Sequence, residues 1–307
     1  MSIDTSAEAQ LSLNGVPVVD TFAEAFPMTG TRLIVTAHSA AWAKQAAAEF
    51  SGNATSVIAC DLETALEREL SAEETPDGRP GVSLLAFAFD KKGLESAVTN
   101  RVGQCILTCP TTACYNGLPT DDKDLKINVG GQVRFFGDGY QGSKKLGVRR
   151  FWRIPVMDGE FLCEEKFGTI KGVGGGNLLI AGDSTEHALA AAEQAANAMR
   201  AVPDVILPFP GGIVRSGSKV GSKYKTLKAS TNHEYCPTLQ TQVELKIPAG
   251  TQAVYEIVID GLSEQAVADA MKAGLHAAAS CEGVLLLTAG NYGGKLGKFH
   301  FHLKDLL

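Results

Sequence analysis

The stretch Asn177–Arg200, NLLIAGDSTEHALAAAEQAANAMR, contains the pattern that decides the predicted fold. Its first six residues form an apolar run typical of a buried β-strand, and the alanine-rich segment after them predicts a helix. Asp183 is the expected N-cap of that helix, with Glu186 three residues later as in a capping box. The residues at helical spacing that predict its buried stripe are Leu189, Ala192, Ala196 and Met199.

The same alternation of strand and helix recurs along the chain. In the second half it continues with a strand over Ala253–Ile259, a helix opened by Ser263 and a strand over Val284–Thr288. The elements predicted in the first half are a strand over Arg32–Thr36, a helix over Ser39–Phe50, a strand over Val82–Phe89, a helix over Lys91–Val102 capped by Asp90, and a strand over Gln104–Cys109. Longer hairpins are expected over Lys126–Phe136 and Phe151–Phe167.

Two strand–helix–strand units in each half predict an α+β protein with two lobes of duplicated ferredoxin-like α/β sandwich. The expected division is a flexible N-terminal tail over residues 1–13, an N-terminal lobe over 14–157 and a C-terminal lobe over 158–307. A chain of 307 residues is long enough for two such lobes.

Composition and charge exclude several classes of protein. Lys and Arg number 28 against 34 Asp and Glu, and the resulting net charge of −6 provides no footprint for nucleic acid. No apolar run approaches the roughly 20 residues that span a bilayer, and Met1–Gln10 lacks the basic and apolar regions of a secretory signal. The seven cysteines are odd in number and scattered, which favours free thiols and a cytoplasmic location.

Six loops rich in Gly, Pro, Ser, Asn and Lys predict a large ligand-binding surface, because such loops expose backbone amides to a ligand. They are Glu73–Gly81, Phe135–Gln141, Pro208–Gly212, Ser216–Tyr224, Ala229–Thr238 and Ala289–Gly297. Familiar motifs are absent from them and from the segments between: GVGGGN at Gly172–Asn177 precedes a strand, which a dinucleotide fingerprint does not, and no loop has P-loop spacing. His300 and His302 alternate on a strand without completing a metal site.

Glu256 interrupts the apolar strand VYEIVI. Alternation places it on the face of Val254 and Val258, opposite Tyr255 and Ile257. If that face is solvent, Glu256 is an ordinary exposed acid. If the face is buried, desolvation raises the pKa of Glu256, and a neutral carboxylic acid can then donate a hydrogen bond or a proton to a reacting group.

Many irregular stretches, in the right order, also carry a resemblance. From about Leu13 to Leu307 the chain resembles the formylmethanofuran:tetrahydromethanopterin formyltransferases. The matching stretches are Asp20–Phe26, Glu73–Gly81, Arg101–Thr108, Phe135–Gln141, Pro208–Val214, Ser218–Lys223, Ala229–Asn232, Tyr235–Thr238, Val254–Ile259 and Gly290–Gly297.

The resemblance implies a reversible formyl transfer between N5 of tetrahydromethanopterin and the amine of methanofuran. Both are coenzyme substrates, and neither a metal nor a permanently bound cofactor is implied. It also implies a homotetramer, two ferredoxin-like lobes and Glu256 as the catalytic residue. The substrate-binding residues that it implies are Asp138, Gly139, Tyr140, Gln141, Gly211, Gly212, Ser218, Lys219, Ser222, Lys223, Thr231, Asn232, Asn291, Gly294 and Lys295.

The chain starts with extra residues and lacks a heavy acidic load, so it is more similar to the branch found in methylotrophic bacteria. There the transferase is one component of a formyltransferase/hydrolase complex that oxidises formaldehyde to formate, which implies further subunits as partners. Two alternatives stay open: a non-catalytic coenzyme-binding or scaffold subunit, and a one-carbon transferase acting on another pterin.

Overall fold

The computed structural model describes residues 10–307, which form two compact units. The middle unit comprises Met28–Gly172, and the terminal unit comprises residues 10–27 together with Val173–Leu307. The strands are β1 (Gln10–Leu13), β2 (Val16–Val19), β3 (Phe22–Thr36), β4 (Glu63–Leu70), β5 (Gly81–Ala88), β6 (Ala113–Asn116), β7 (Lys126–Ile127), β8 (Gly142–Leu146), β9 (Arg149–Val156), β10 (Gly159–Glu164), β11 (Phe167–Gly168), β12 (Ile170–Gly182), β13 (Val205–Ile206), β14 (Lys219–Val220), β15 (Ala229–Ser230), β16 (Ala253–Gly261), β17 (Val284–Thr288) and β18 (Phe299–His302). The α-helices are α1 (Ala40–Ser51), α2 (Lys91–Arg101), α3 (Val129–Val133), α4 (Thr185–Arg200) and α5 (Glu264–Ala278).

The terminal unit contains a four-stranded antiparallel sheet in the order β17-β12-β16-β13. In chain order its elements run β12, α4, β13, β16, α5, β17. This is the strand order and connectivity of a ferredoxin-like sandwich. Beyond β17 the sheet continues through β2 and β1, and β18 pairs with the start of β3.

Leucine and isoleucine side chains of β12 and β16 fill the core of the terminal unit against alanine-rich helices. Leu178, Ile180, Ile257 and Ile259 are fully buried in one cluster with the small residues of α4 and with Met271 of α5. Alanine lets the helices lie close to each other and to the strands, so the long strand side chains supply most of the buried apolar surface.

Leu178→Ala is expected to lower the free energy of unfolding by about 2–5 kcal/mol, because it leaves a cavity in this cluster. Chemical denaturation measures the loss. Leu189→Ala on α4 is the matched control: that side chain is 37% exposed, and its removal is expected to cost within about 0.5 kcal/mol. Equal losses for the two variants would contradict this assignment of the core.

The middle unit repeats the arrangement. Its antiparallel strands have the order β6-β3-β5-β4, connected in the chain order β3, α1, β4, β5, α2, β6. β10 pairs with β6 in parallel, and β9 and β8 extend the sheet as antiparallel neighbours. The prediction of an α+β protein with duplicated ferredoxin-like units is confirmed.

Two predicted elements of the middle unit are wrong. Gln104–Cys109 is not a strand: Val102–Ile106 is a wide helical turn that continues α2, and the strand begins only at Ala113. A short apolar run does not distinguish a buried helical turn from a strand. The hairpin expected over Lys126–Phe136 contains the two-residue β7 followed by the helix α3, where a Cβ on Gly130 would lie 2.2 Å from the Glu164 carbonyl oxygen.

Helix starts were predicted with one error. The Ser263 and Asp90 side chains accept hydrogen bonds from the amides of Ala266 and Gly93, as expected of N-caps. The N-cap of α4, however, is Ser184, because Asp183 instead pairs with His187 Nδ1 at 2.7 Å. Leu189 is outside the buried stripe, which consists of Ala188, Ala191, Ala192, Ala195, Ala196 and Met199.

The division by contacts differs from the linear division at 157/158. That position falls in the turn between β9 and β10, whose pairing keeps both strands in the middle unit. Of the tail predicted over residues 1–13, residues 1–9 lie outside the described residues, while Gln10–Leu13 forms β1 paired with β2. Among residues 10–307, no helix has the length and apolar character needed to cross a membrane.

Candidate active site

Glu256 lies in the middle of β16, between core residues. Ile257 and Ile259 point into the cluster beneath α4 and α5, and Glu256 alternates to the opposite face, as predicted. Only 4% of Glu256 is exposed. The alternative of an ordinary solvent-exposed acid is therefore wrong.

Two side chains from the loops after β13 contact the Glu256 carboxyl group. The Ser218 hydroxyl donates to Oε1 at 2.5 Å, and the Asn232 amide nitrogen donates to Oε2 at 3.3 Å. The backbone of Glu256 forms a bridge with Val214, through bonds of 2.7 and 3.1 Å. Ser218, Asn232 and Val214 thus fix the acid from one side.

Burial raises the pKa of Glu256 to about 7, although hydrogen bonds from the Ser218 side chain and backbone oppose the rise. A carboxyl group with this pKa is partly protonated near neutral pH. It can donate a hydrogen bond or a proton to an oxygen or nitrogen atom that gains negative charge in a reaction.

Close approach of backbone to backbone brings Ser218 and Asn232 together. Gly217 has φ +76°, and a Cβ at this position would lie 2.7 Å from the Asn232 backbone nitrogen. Lys219 follows in β14, which pairs with β15, and its Nζ lies 3.1 Å from His233 Nδ1. Glycine is required here by the left-handed φ and by the lack of space.

The other predicted binding residues of these loops are more exposed. Thr231 Oγ1 lies 3.3 Å from Cys236 Sγ, the Ser222 hydroxyl accepts a bond from the Tyr224 amide, and Lys223 is exposed. Gly211 and Gly212 form a short helical turn two residues before Val214, and the Gly211 carbonyl accepts a bond from Arg200 Nη2 at 2.5 Å.

The loop Ala289–Gly297 approaches the Ser218 segment through Tyr292. The Tyr292 hydroxyl accepts a hydrogen bond from the Val220 amide at 2.8 Å. Asn291 uses its side-chain amide within the loop base, donating to Thr21 Oγ1 and the Phe22 carbonyl, whereas Lys295 is exposed. Of the predicted residues, those from Gly211 to Asn232 and from Asn291 to Lys295 therefore share the terminal unit with Glu256.

Asp138, Gly139, Tyr140 and Gln141 belong to the middle unit, where they form a tight turn. Asp138 and Gly139 have φ +50° and +92°, and the Gly139 amide donates to Gln141 Oε1 at 2.9 Å. Tyr140 is 84% exposed. A role for this turn in binding substrate stays a prediction.

Three residues of the terminal unit were missed by the sequence analysis. Glu24 is buried in β3, Tyr292 connects two loops, and His233 contacts Lys219. A signal existed only for Glu24, which interrupts the apolar pattern of FAEAF as Glu256 interrupts its own strand.

Residues that could ligate metals are dispersed. Within the described part of the chain, no three His, Cys, Asp or Glu side chains are grouped so that they could hold a metal ion. His300 and His302 both lie against the ring of Phe22, with ring centroids 4.9 and 5.1 Å apart, and the seven cysteines are free thiols.

Family models match almost the whole chain. The model described as formylmethanofuran-tetrahydromethanopterin formyltransferase matches residues 11–156, and the model of its proximal lobe matches residues 159–306. The chain belongs to this family.

Known members of the formyltransferase family are similar over their full length. The formylmethanofuran–tetrahydromethanopterin formyltransferase of Methylococcus capsulatus is 56% identical over 96% of this chain and 99% of its own. One subunit of the formyltransferase/hydrolase complex of Methylorubrum extorquens is 52% identical, over 97% of this chain and 98% of its own.

Two solved structures of formyltransferases share the fold. The Methylorubrum extorquens formyltransferase/hydrolase complex, crystallised with methylofuran, contains a chain that superimposes with a TM-score of 0.93 at 52% identity, over 97% of this chain and 99% of its own. The Methanosarcina barkeri formyltransferase superimposes with a TM-score of 0.90 at 48% identity, over 97% and 100%. These similarities favour the transferase over the non-catalytic scaffold.

Proposed function

We propose that the chain transfers a formyl group reversibly between N5 of tetrahydromethanopterin and the amine of methanofuran, with Glu256 as the catalytic residue. The observation that carries the assignment to Glu256 is a buried carboxyl group, 4% exposed, with Ser218 Oγ 2.5 Å away, in a member of the formyltransferase family. A buried acid with a pKa of about 7 matches a reaction in which charge develops between two nitrogens.

The transfer proceeds by direct attack within a ternary complex. The neutral amine of methanofuran attacks the formyl carbon on N5, a tetrahedral intermediate forms, and its C–N5 bond breaks. Ser218 occupies Oε1 of Glu256, so a proton on Oε2 is available to the oxygen of the intermediate or to the leaving nitrogen. Holding both substrates in line removes much of the entropic barrier.

Substrate binding is assigned to the loops around Glu256 and to the turn Asp138–Gln141. Lys219, Lys223 and Lys295 would pair with phosphate or carboxylate groups of the two long coenzymes, as cations at flexible, exposed ends do. Glycine amides at Gly211, Gly212 and Gly294 allow close approach of substrate. The chemistry assigned to Glu256 and Ser218 is complete with the two coenzyme substrates, so no permanently bound cofactor belongs to the proposal.

Partners and location belong to the same proposal. By analogy with the related component of the Methylorubrum extorquens complex, the chain would form a homotetramer in the cytoplasm, together with other subunits of a formyltransferase/hydrolase, in formaldehyde oxidation. Native mass spectrometry of the protein purified from its own cells tests this: a monomer without further subunits would contradict it.

The test of the function is a mass-spectrometric transfer assay with purified protein, formylmethanofuran and tetrahydromethanopterin. The expected result is rapid, protein-dependent formation of 5-formyl-tetrahydromethanopterin. A folded protein that binds both coenzymes without exchange, or one that works equally well with a folate-based donor, would contradict the proposed reaction.

Ser218→Ala is expected to shift the pH profile of kcat/KM. The Ser218 hydroxyl stabilises the ionised form of Glu256, so its loss raises the pKa of Glu256 further. Because the protonated acid is the active form, the decline of kcat/KM at high pH should move to higher pH, while the maximal rate falls with the lost contact. Ser222→Ala, whose hydroxyl contacts only a local amide, is the matched control. A high-pH decline at an unchanged pH would contradict the contact.

A further inference from the structure

Glu24 is a buried carboxylate with an unusual set of partners. It lies in β3, is 1% exposed, and accepts four backbone hydrogen bonds from one loop. Oε2 accepts from the amides of Tyr292 and Gly294 at 2.6 and 2.9 Å. Oε1 accepts from the amides of Leu296 and Gly297, both at 2.6 Å.

These bonds define the ionisation state of Glu24. Burial alone would raise the pKa of Glu24, but the four amides outweigh burial and hold the pKa below its ordinary value. The carboxylate is therefore charged near neutral pH, opposite to Glu256, and it acts as an acceptor around which the loop folds.

The loop is built to receive this carboxylate. A Cβ on Gly297 would lie 2.3 Å from the Ala25 carbonyl oxygen, and Gly293 and Gly294 have φ +70° and +71°. Asn177 fixes the first residue of the loop, donating to and accepting from the Gly290 backbone at 3.0 and 2.6 Å. Glu24 and Asn177 together leave the loop few alternative conformations.

A chain of contacts leads from Glu24 to the acid. The loop segment held by Glu24 carries Tyr292, whose hydroxyl accepts from the Val220 amide at 2.8 Å and lies 3.5 Å from the Ser218 carbonyl oxygen. Ser218 in turn donates to Glu256 at 2.5 Å. Every residue of this chain belongs to the terminal unit.

We propose that Glu24 is a positioning residue for formyl transfer: it fixes the loop Gly290–Gly297, and through the Tyr292 hydroxyl it fixes the Ser218 segment against Glu256. The inference rests on the proposed role of Glu256. It predicts that Glu24 and Tyr292 act as one unit, since each holds a different end of the same connection.

Glu24→Gln tests the proposal, because the amide keeps the size but presents N–H groups to two amide donors. A displacement of the loop by about 1 Å is expected to lower kcat/KM by about 10²-fold, with a fall in kcat as well as a rise in KM. Tyr292→Phe leaves the four loop bonds in place and is expected to lower kcat by about tenfold with KM nearly unchanged.

The double variant decides between coupling and coincidence. If Glu24 acts through Tyr292, the double variant should lose about the same factor as Glu24→Gln alone, because the second change removes a contact that is already lost. Multiplying losses, or a normal kcat for Tyr292→Phe, would overturn the proposal. The Tyr292→Phe result stands even if Glu24→Gln does not fold.

Two controls separate this inference from its foundation. Glu164→Gln alters a carboxylate that is also buried, in the middle unit, where it accepts from Arg149 and the Asn116 amide. If Glu164→Gln lowered kcat/KM as much as Glu24→Gln, the loss would be general and the proposal wrong. Glu256→Gln, measured alongside, reports on the acid itself: a normal rate there contradicts the role of Glu256, whereas a normal rate for Glu24→Gln with an inactive Glu256→Gln contradicts only the role of Glu24.

Discussion

Glu256→Gln is expected to lower kcat for formyl transfer by about 10²–10³, the usual cost of removing one group that stabilises a developing charge. Glutamine has the same shape and can still contact Ser218 and Asn232, so both coenzymes should bind with little change in KM. What it lacks is the proton that the buried acid supplies to the oxygen of the intermediate or to the leaving nitrogen. Steady-state kinetics with formylmethanofuran and tetrahydromethanopterin measure both constants.

The control for this variant is Glu164→Gln, since Glu164 and Glu256 are each 4% exposed. Both substitutions remove a buried carboxyl group, but Glu164 lies on β10 of the middle unit and is ion-paired with Arg149. A near-normal kcat for Glu256→Gln would refute the catalytic role. A tenfold or greater loss of kcat in Glu164→Gln would show that any buried charge matters.

Local patterns were sufficient to predict the secondary structure that carries the site. Alternation along β16 placed Glu256 opposite Ile257, and capping side chains marked the starts of α2 and α5. The errors arose where several structures satisfy one local pattern. Gln104–Cys109 is apolar enough for a strand or a helical turn, and Asp183 and Ser184 are both good caps.

Glu24 and Glu256 show where such prediction stops. Each carboxylate interrupts an apolar strand, and the sequence around them does not distinguish the two. Their ionisation differs because their partners come from remote segments: Glu24 meets loop amides some 270 positions later, and Glu256 meets one hydroxyl and one side-chain amide. Only the folded terminal unit sets four donors against the first and mainly burial against the second.

Burial of Glu256 should also be measurable as a pH dependence of stability. Its pKa rises from 4.5 in the unfolded chain to about 7 in the folded protein. Below pH 4.5 the acid is protonated in both states, so its contribution to stability is fully present there. Between pH 4.5 and 7 the folded state keeps a proton that the unfolded state has released, and stability falls as pH rises.

The expected size of this loss is about 3 kcal/mol, at about 1.36 kcal/mol for each pH unit between the two pKa values. Glu256→Gln cannot ionise, so its free energy of unfolding should improve by this amount relative to the natural protein as pH rises from 4.5 to above 7. Other titrating groups, Glu24 included, cancel in the comparison because they are common to both proteins. Urea denaturation of the two proteins across this range measures the difference. If the difference stays constant with pH, Glu256 ionises at its ordinary pKa, and the neutral acid that the proposed mechanism requires is not present at pH 7.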